Sequence, residues 1–160
     1  MEFLYNWVGE IKMSFKKVKK EFKLVGLKGS GEFVNFGIEV PLLAKQLLSR
    51  SNEILNSIET EIALFEPKKN EEHRIGHYYV GLVVSEKLNK VPSGMDYIET
   101  VKSYVTTRGN ISNLGVLHLN LLNWAEEQDY QRDLDSYIIE TYHPMVEGEE
   151  EVQIYLPIQA

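Results

Sequence analysis

Hydrophobic positions recur along the chain at two spacings, a period of two that marks strands and a spacing of three to four that marks helices. Met1–Ser14 sets Phe3, Leu4, Trp7, Val8 and Ile11 at helical spacing and is read as a short helical extension docked on the body. In Lys17–Ser30, Phe22, Leu24 and Gly26 alternate with Lys23, Val25 and Leu27, which predicts a strand leading into the glycine-rich turn GLKGSGEF. Val40–Ile58 carries Leu43, Leu47, Ile54, Leu55 and Ile58 on one stripe, with Pro41 suited to a first turn, and predicts a long helix. A short strand at Ile62–Glu66 and a polar loop at Pro67–Glu72 follow, then the β-prone run HYYVGLVVS at His77–Ser85. Val91-Pro92-Ser93-Gly94 reads as a turn and Tyr97–Thr107 as another strand. Ser112 or Asn113 caps a second helix, Leu114–Gln128, whose buried stripe is Leu114, Leu117, Leu121 and Ala125.

The last stretch, Asp135–Ala160, reads as two strands and a turn. Ile138, Glu140 and Tyr142 share one face of the first strand, which ends at His143-Pro144. Glu147-Gly148-Glu149 is a solvated turn, and in the second strand Val152, Ile154, Leu156 and Ile158 form the set that faces the core. Glu140 therefore lies mid-strand beside an aromatic residue. It is either an exposed carboxylate or a buried charge that needs a partner.

The chain also repeats. Asn35-Phe36-Gly37-Ile38 opens the first helix and Asn113-Leu114-Gly115-Val116 opens the second. In the same register Pro41-Leu42-Leu43 meets Leu119-Asn120-Leu121, and in the last strands Tyr78-Tyr79-Val80-Gly81 meets Ile154-Tyr155-Leu156-Pro157, making Tyr79 and Tyr155 mates. Each half reads strand, helix, strand, strand. The expected fold is α+β, built from duplicated strand–helix–strand–strand units with pseudo-twofold symmetry and a central ligand groove where the halves meet. Residues 1–14 form the extension and 15–160 a single domain, with repeats at about 15–86 and about 95–158.

Composition narrows the function. The 160 residues hold no cysteine, which removes disulfides, thiolate metal sites and cysteine nucleophiles. The net charge is −7, and the lysines between Lys12 and Lys28 suit a solvated strand edge better than a nucleic-acid face. The sequence contains no helix-turn-helix pattern, so direct nucleic-acid binding is not expected. No apolar run spans a bilayer, and Glu2 and Glu10 stand where a signal peptide is basic; a cytoplasmic protein without a membrane role is expected. The glycine turn lacks P-loop order. Gly76 and the β-prone flank argue against a helical metal pair at His73 and His77, and His118, beside the second apolar stripe, reads as a satisfied histidine. Neither metal nor cofactor is expected.

Taken together, Leu24-Val25-Gly26, Tyr78-Tyr79-Val80-Gly81, Val91-Pro92-Ser93-Gly94-Met95, Trp124, Ile139-Glu140-Thr141-Tyr142 and Ile154-Tyr155-Leu156-Pro157-Ile158 resemble, in order and spacing, the GyrI-like effector-binding domain. The resemblance runs roughly from Phe15 to Ile158. That domain occurs fused to AraC- and MerR-type bacterial transcription regulators and also alone. The resemblance implies the duplicated fold and capture of small hydrophobic, often cationic and aromatic, molecules in the central groove. It assigns Glu140 the role of counter-charge, with Tyr79, Trp124 and Tyr142 as the aromatic positions around it. Tyr155 and Tyr104 complete the ligand-binding candidates. Some stand-alone relatives are hydrolases of reactive electrophiles, and others inhibit gyrase or sequester drugs. Three readings follow: a stand-alone binding module, an enzyme using Glu140 as general base with a tyrosine as acid, and a modulator of a protein partner.

Overall fold

The structure is a computed structural model that describes residues 6–8 and 11–160, with side chains from Ser14 onward. Its body is a closed barrel of six antiparallel strands with two helices on the outside. In chain order the barrel strands are β3 (Lys16–Glu32), β4 (Ser57–Phe65), β5 (Ile75–Val84), β6 (Asp96–Asn110), β7 (Ile138–Pro144) and β8 (Glu150–Pro157). Helix α1 (Phe36–Leu48) follows β3 and helix α2 (Leu114–Glu127) follows β6. Around the barrel the order is β3-β5-β4-β7-β8-β6, and β6 closes back onto β3. The strands of both predicted strand–helix–strand–strand units thus close into one barrel. Closure leaves none of these six strands as a free edge.

Closure buries the inner face of the strands, and the two helices cover part of the outer face. Phe22, Leu24, Ile62, Leu64, Tyr104, Ile139 and Tyr155 fill the barrel. On the outer face, Val105, Val152, Ile154 and Leu156 pack under Leu117, Leu121, Trp124 and Ala125 of α2. Val25, Ala63, Val80 and Leu82 pack under Leu47 of α1. This explains why Tyr155, between the inward-expected Ile154 and Leu156, is buried with them: one face seats the helix and the other fills the barrel. Where β3 and β5 cross, Gly26 pairs with Gly81. A Cβ on Gly26 would strike the Val80 backbone, and one on Gly81 would come 2.5 Å from the Val25 carbonyl oxygen. Both positions need the close backbone approach that only glycine permits.

Two expectations are corrected. The first helix starts earlier and ends earlier than Val40–Ile58: it stops at Leu48, a 3-10 turn occupies Ser51–Glu53, and Asn56 takes a positive φ of 59°. Of the predicted stripe, Leu47 and Ile54 are buried while Leu55 and Ile58 are exposed. The polar stretch Ser49-Arg50-Ser51 ends the helix, and the Arg50–Glu53 pair at 2.8 Å supports the turn instead. The other correction concerns the helix expected over Met1–Ser14. Residues 1–5 and 9–10 lie outside the described residues, but Asn6–Val8 and Ile11–Met13 are antiparallel strands, β1 and β2. Val8 and Ile11 are β-branched and suit that pairing. Among the described residues, no helix is long and apolar enough to cross a membrane.

Candidate functional site

The two helices lie on either side of the central β4–β7 ladder, and a cavity of about 610 Å³ opens between them. The α1 wall is Phe36, Gly37, Val40, Pro41, Ala44 and Leu47, an i, i+4 stripe that continues the face seated on β5. The opposite wall is Ile111, in the 3-10 turn before α2, with Leu114 and His118 one turn apart along the start of α2. Asn110 shapes that start by accepting a hydrogen bond from the Ser112 N–H at 2.9 Å. The floor is β4 and β7: Glu61, Ala63 and Phe65 from one, Ile138, Glu140 and Tyr142 from the other. Ile62, Val80, Gly81 and Glu150 complete the lining. Alternation on β7 aims Ile138, Glu140 and Tyr142 outward to the helices, while Ile139 fills the barrel.

Glu140 is 5% exposed and is held from two sides. The Tyr142 hydroxyl donates to its Oε1 at 2.6 Å, and His118 Nε2 lies 2.6 Å from its Oε2. Burial, then the adjacent Glu140 carboxylate, drives the Tyr142 hydroxyl well above its ordinary range, so it remains a donor. Burial, then Glu150, also raises Glu61. The cavity therefore carries three carboxylates, the His118 imidazole and the Tyr142 hydroxyl on an otherwise apolar lining. Among the described residues, the lining holds no lysine or arginine. Phe36, Phe65 and Tyr142 supply aromatic rings, with Phe36 and Phe65 centred 6.3 Å apart at 33°. A carboxylate kept from water beside such rings suits a lipophilic cation. The charge gains a partner, and each favourably placed ring adds on the order of 0.5–2 kcal/mol.

Of the six residues predicted from sequence, the cavity brings together Glu140 and Tyr142. Tyr79, Tyr104 and Tyr155 lie on the opposite face of the sheet, within the barrel. Tyr104 and Tyr155 set their rings edge-on to Phe22 at 5.8 and 4.9 Å. Tyr79 meets Tyr137 edge-on at 6.0 Å, with its hydroxyl 3.5 Å from Asp96. Trp124 is buried beneath α2, stacked on Phe15 at 5.7 Å. His118 does have its hydrogen bond satisfied, but Glu140 itself is the partner. Phe36, Phe65 and His118 were missed as lining residues. The repeat held a signal for two of them, because Phe36 is aligned with the cavity-lining Leu114, and His118 lies one turn beyond it. His73 and His77 flank Glu66 at 2.9 Å each, and among the described residues no group of three or more histidines and carboxylates is arranged to hold a metal.

No family model matches this sequence, and no curated protein matches it. Solved structures do. SAV2435 bound to tetraphenylphosphonium superposes with a TM-score of 0.66 at 11% identity, covering 94% of this chain and 95% of that one. The EcmrR C-terminal domain gives 0.63 at 15% identity, covering 92% and 96%. Against EcmrR in its complex with DNA, the chain covers 57% of the longer protein's length. A hydrolase encoded by lin2189 from Listeria innocua gives 0.57 at 10% identity, covering 91% of both chains. The chain therefore has the fold of GyrI-like effector-binding domains: α+β, with a six-stranded antiparallel barrel and two outer helices.

Proposed function

We propose that this protein is a binding module that captures a small lipophilic organic cation in the cavity between α1 and α2. The observation that carries the reading is Glu140: a carboxylate 5% exposed, on the floor of a largely apolar, aromatic cavity whose lining, among the described residues, holds no lysine or arginine. The fold likeness to SAV2435 supports it, since the ligand bound there, tetraphenylphosphonium, is itself a hydrophobic aromatic cation. Glu140 and Tyr142 are the primary contacts. Tyr79, Tyr104, Tyr155 and Trp124 act from behind the floor and walls as packing.

The cavity is also the seam of a duplication spanning about 15–86 and about 95–158. Register supports this. Setting Asn35 against Asn113 and Tyr79 against Tyr155 carries the Gly26–Gly81 pair of the β3–β5 ladder onto the Tyr104–Pro157 pair of the β6–β8 ladder. The order of strands around the barrel is unchanged when the halves are exchanged.

Calorimetric titration with tetraphenylphosphonium and with a neutral analogue, triphenylphosphine oxide, tests the binding reading. Glu140→Gln is expected to weaken the cation at least about tenfold, or about 1.4 kcal/mol, and the neutral analogue by less than about threefold. Equal losses for both compounds would remove the charge role.

A second reading has its own observation. The His118–Glu140 contact at 2.6 Å has the composition of a general-base pair, in a chain whose fold is like that of a hydrolase. Turnover of an activated ester, lost in both Glu140→Gln and His118→Asn, would favour it over capture.

A further inference from the structure

Resting on that capture reading, we infer that His118 is a specificity-determining residue: an internal cation that a bound lipophilic cation must displace, so that ligand binding expels a proton. The geometry sets up a competition for one carboxylate. His118 Nε2 occupies Glu140 Oε2 at 2.6 Å, and Tyr142 occupies Oε1. A protonated imidazolium in that position neutralises Glu140, and the cavity then offers a permanent cation little net attraction. A neutral imidazole leaves the carboxylate charge uncompensated. His118 can exchange its proton with solvent, because its side chain is 33% exposed while that of Glu140 is 7% exposed.

The other charged or titratable groups around Glu140 all point to the same sign. Tyr142 on β7 is held as a neutral donor, Glu61 on β4 and Glu150 on β8 are acidic, and α1 contributes only apolar residues to the lining. His118 is the one basic side chain lining the cavity among the described residues. Histidine side chains ordinarily change charge between about pH 5 and 8. In the protonated state the cavity favours neutral aromatic ligands; in the deprotonated state it favours cations.

The test measures tetraphenylphosphonium affinity across about pH 5.5–8.5 for the full chain and for His118→Asn, with proton release read calorimetrically in buffers of different ionisation heat. In the parent protein, affinity is expected to fall towards tenfold per pH unit on the acidic side of the transition, with up to one proton released per ligand. In His118→Asn the share of that dependence carried by His118 disappears and acidic-side affinity rises towards the alkaline level. Any dependence from Glu61 or Glu150 survives in this variant and is thereby separated. Binding by the parent protein with a flat profile and no proton release overturns this inference while leaving the capture reading standing. Absence of binding at every pH overturns both.

Discussion

Phe15 stacks on Trp124 with ring centroids 5.7 Å apart and planes 16° apart, closing the underside of α2. Tyr130 leans on the same indole at 6.0 Å. The tryptophan is thereby fixed in the packing layer between α2 and the barrel, away from the cavity lining. Trp124→Ala is expected to cost about 3–5 kcal/mol of stability, measured by urea unfolding. Trp124→Phe should recover most of that loss and bind tetraphenylphosphonium within about twofold of the parent protein. A loss of affinity of about tenfold in a stably folded Trp124→Phe would mean that the indole touches the ligand.

Tyr142 joins both outer packing clusters and donates to Glu140 at 2.6 Å. Tyr142→Phe keeps the ring and removes the donor, leaving a buried carboxylate oxygen unsatisfied. The expected cost is about 1–3 kcal/mol, read from denaturant midpoints. If the double variant Tyr142→Phe/Glu140→Gln loses as much stability as the two single variants added together, the hydroxyl and the carboxylate are not coupled.

Glu61 carries a pH signature. Burial, then Glu150, raises its pKa in the folded state. An acid with a raised folded pKa opposes folding at pH above that value, and the penalty lifts as pH falls through it. Glu61→Gln should therefore stabilise the protein at neutral pH, and the gain should shrink to nothing in acid. Solvent screening at this partly exposed site keeps the gain to about 0.5 kcal/mol or less. The same variant should bind cations slightly less well. Thermal melting from about pH 4 to pH 8 checks the sign, and a gain that grows on acidification contradicts the account.

The glycine crossing makes a separate stability prediction. Gly26 and Gly81 pair where β3 and β5 approach each other, and a Cβ on either meets backbone. Gly26→Ala and Gly81→Ala should each destabilise by about 1–3 kcal/mol, whereas Gly115→Ala, whose Cβ meets nothing within 4 Å, should not. Comparable melting temperatures for all three would show that the crossing is looser than described.

Much of the fold could be read from the sequence because the strands and helices alternate at clean periods. The α2 prediction ends within one residue of the observed Glu127, and the last two strands fall where Ile138–Tyr142 and Val152–Leu156 alternate. Closure of the barrel left less trace. Together with the helices it buries both faces at the strand centres, so alternation there no longer distinguishes inside from outside, and Tyr79, Tyr104 and Tyr155 read as groove residues although they pack in the barrel. Glu140 stood out because a carboxylate among Ile138, Ile139 and Tyr142 is chemically conspicuous. Its partner His118 did not, because a histidine beside a leucine stripe has no local feature that names a residue on β7. The lining aromatics Phe36 and Phe65 lie at the ends of elements, where periodicity is weakest.

The most direct measurement of the central claim is a heteronuclear NMR titration of the full chain with tetraphenylphosphonium, which maps where the cation sits. The account predicts the largest shifts at Gly37, Val40, His118, Glu140 and Tyr142, with Tyr104, Tyr155 and Trp124 little moved. Largest shifts at Tyr79, Tyr104 and Tyr155, with His118 and Glu140 silent, would place the ligand in the barrel interior and contradict it.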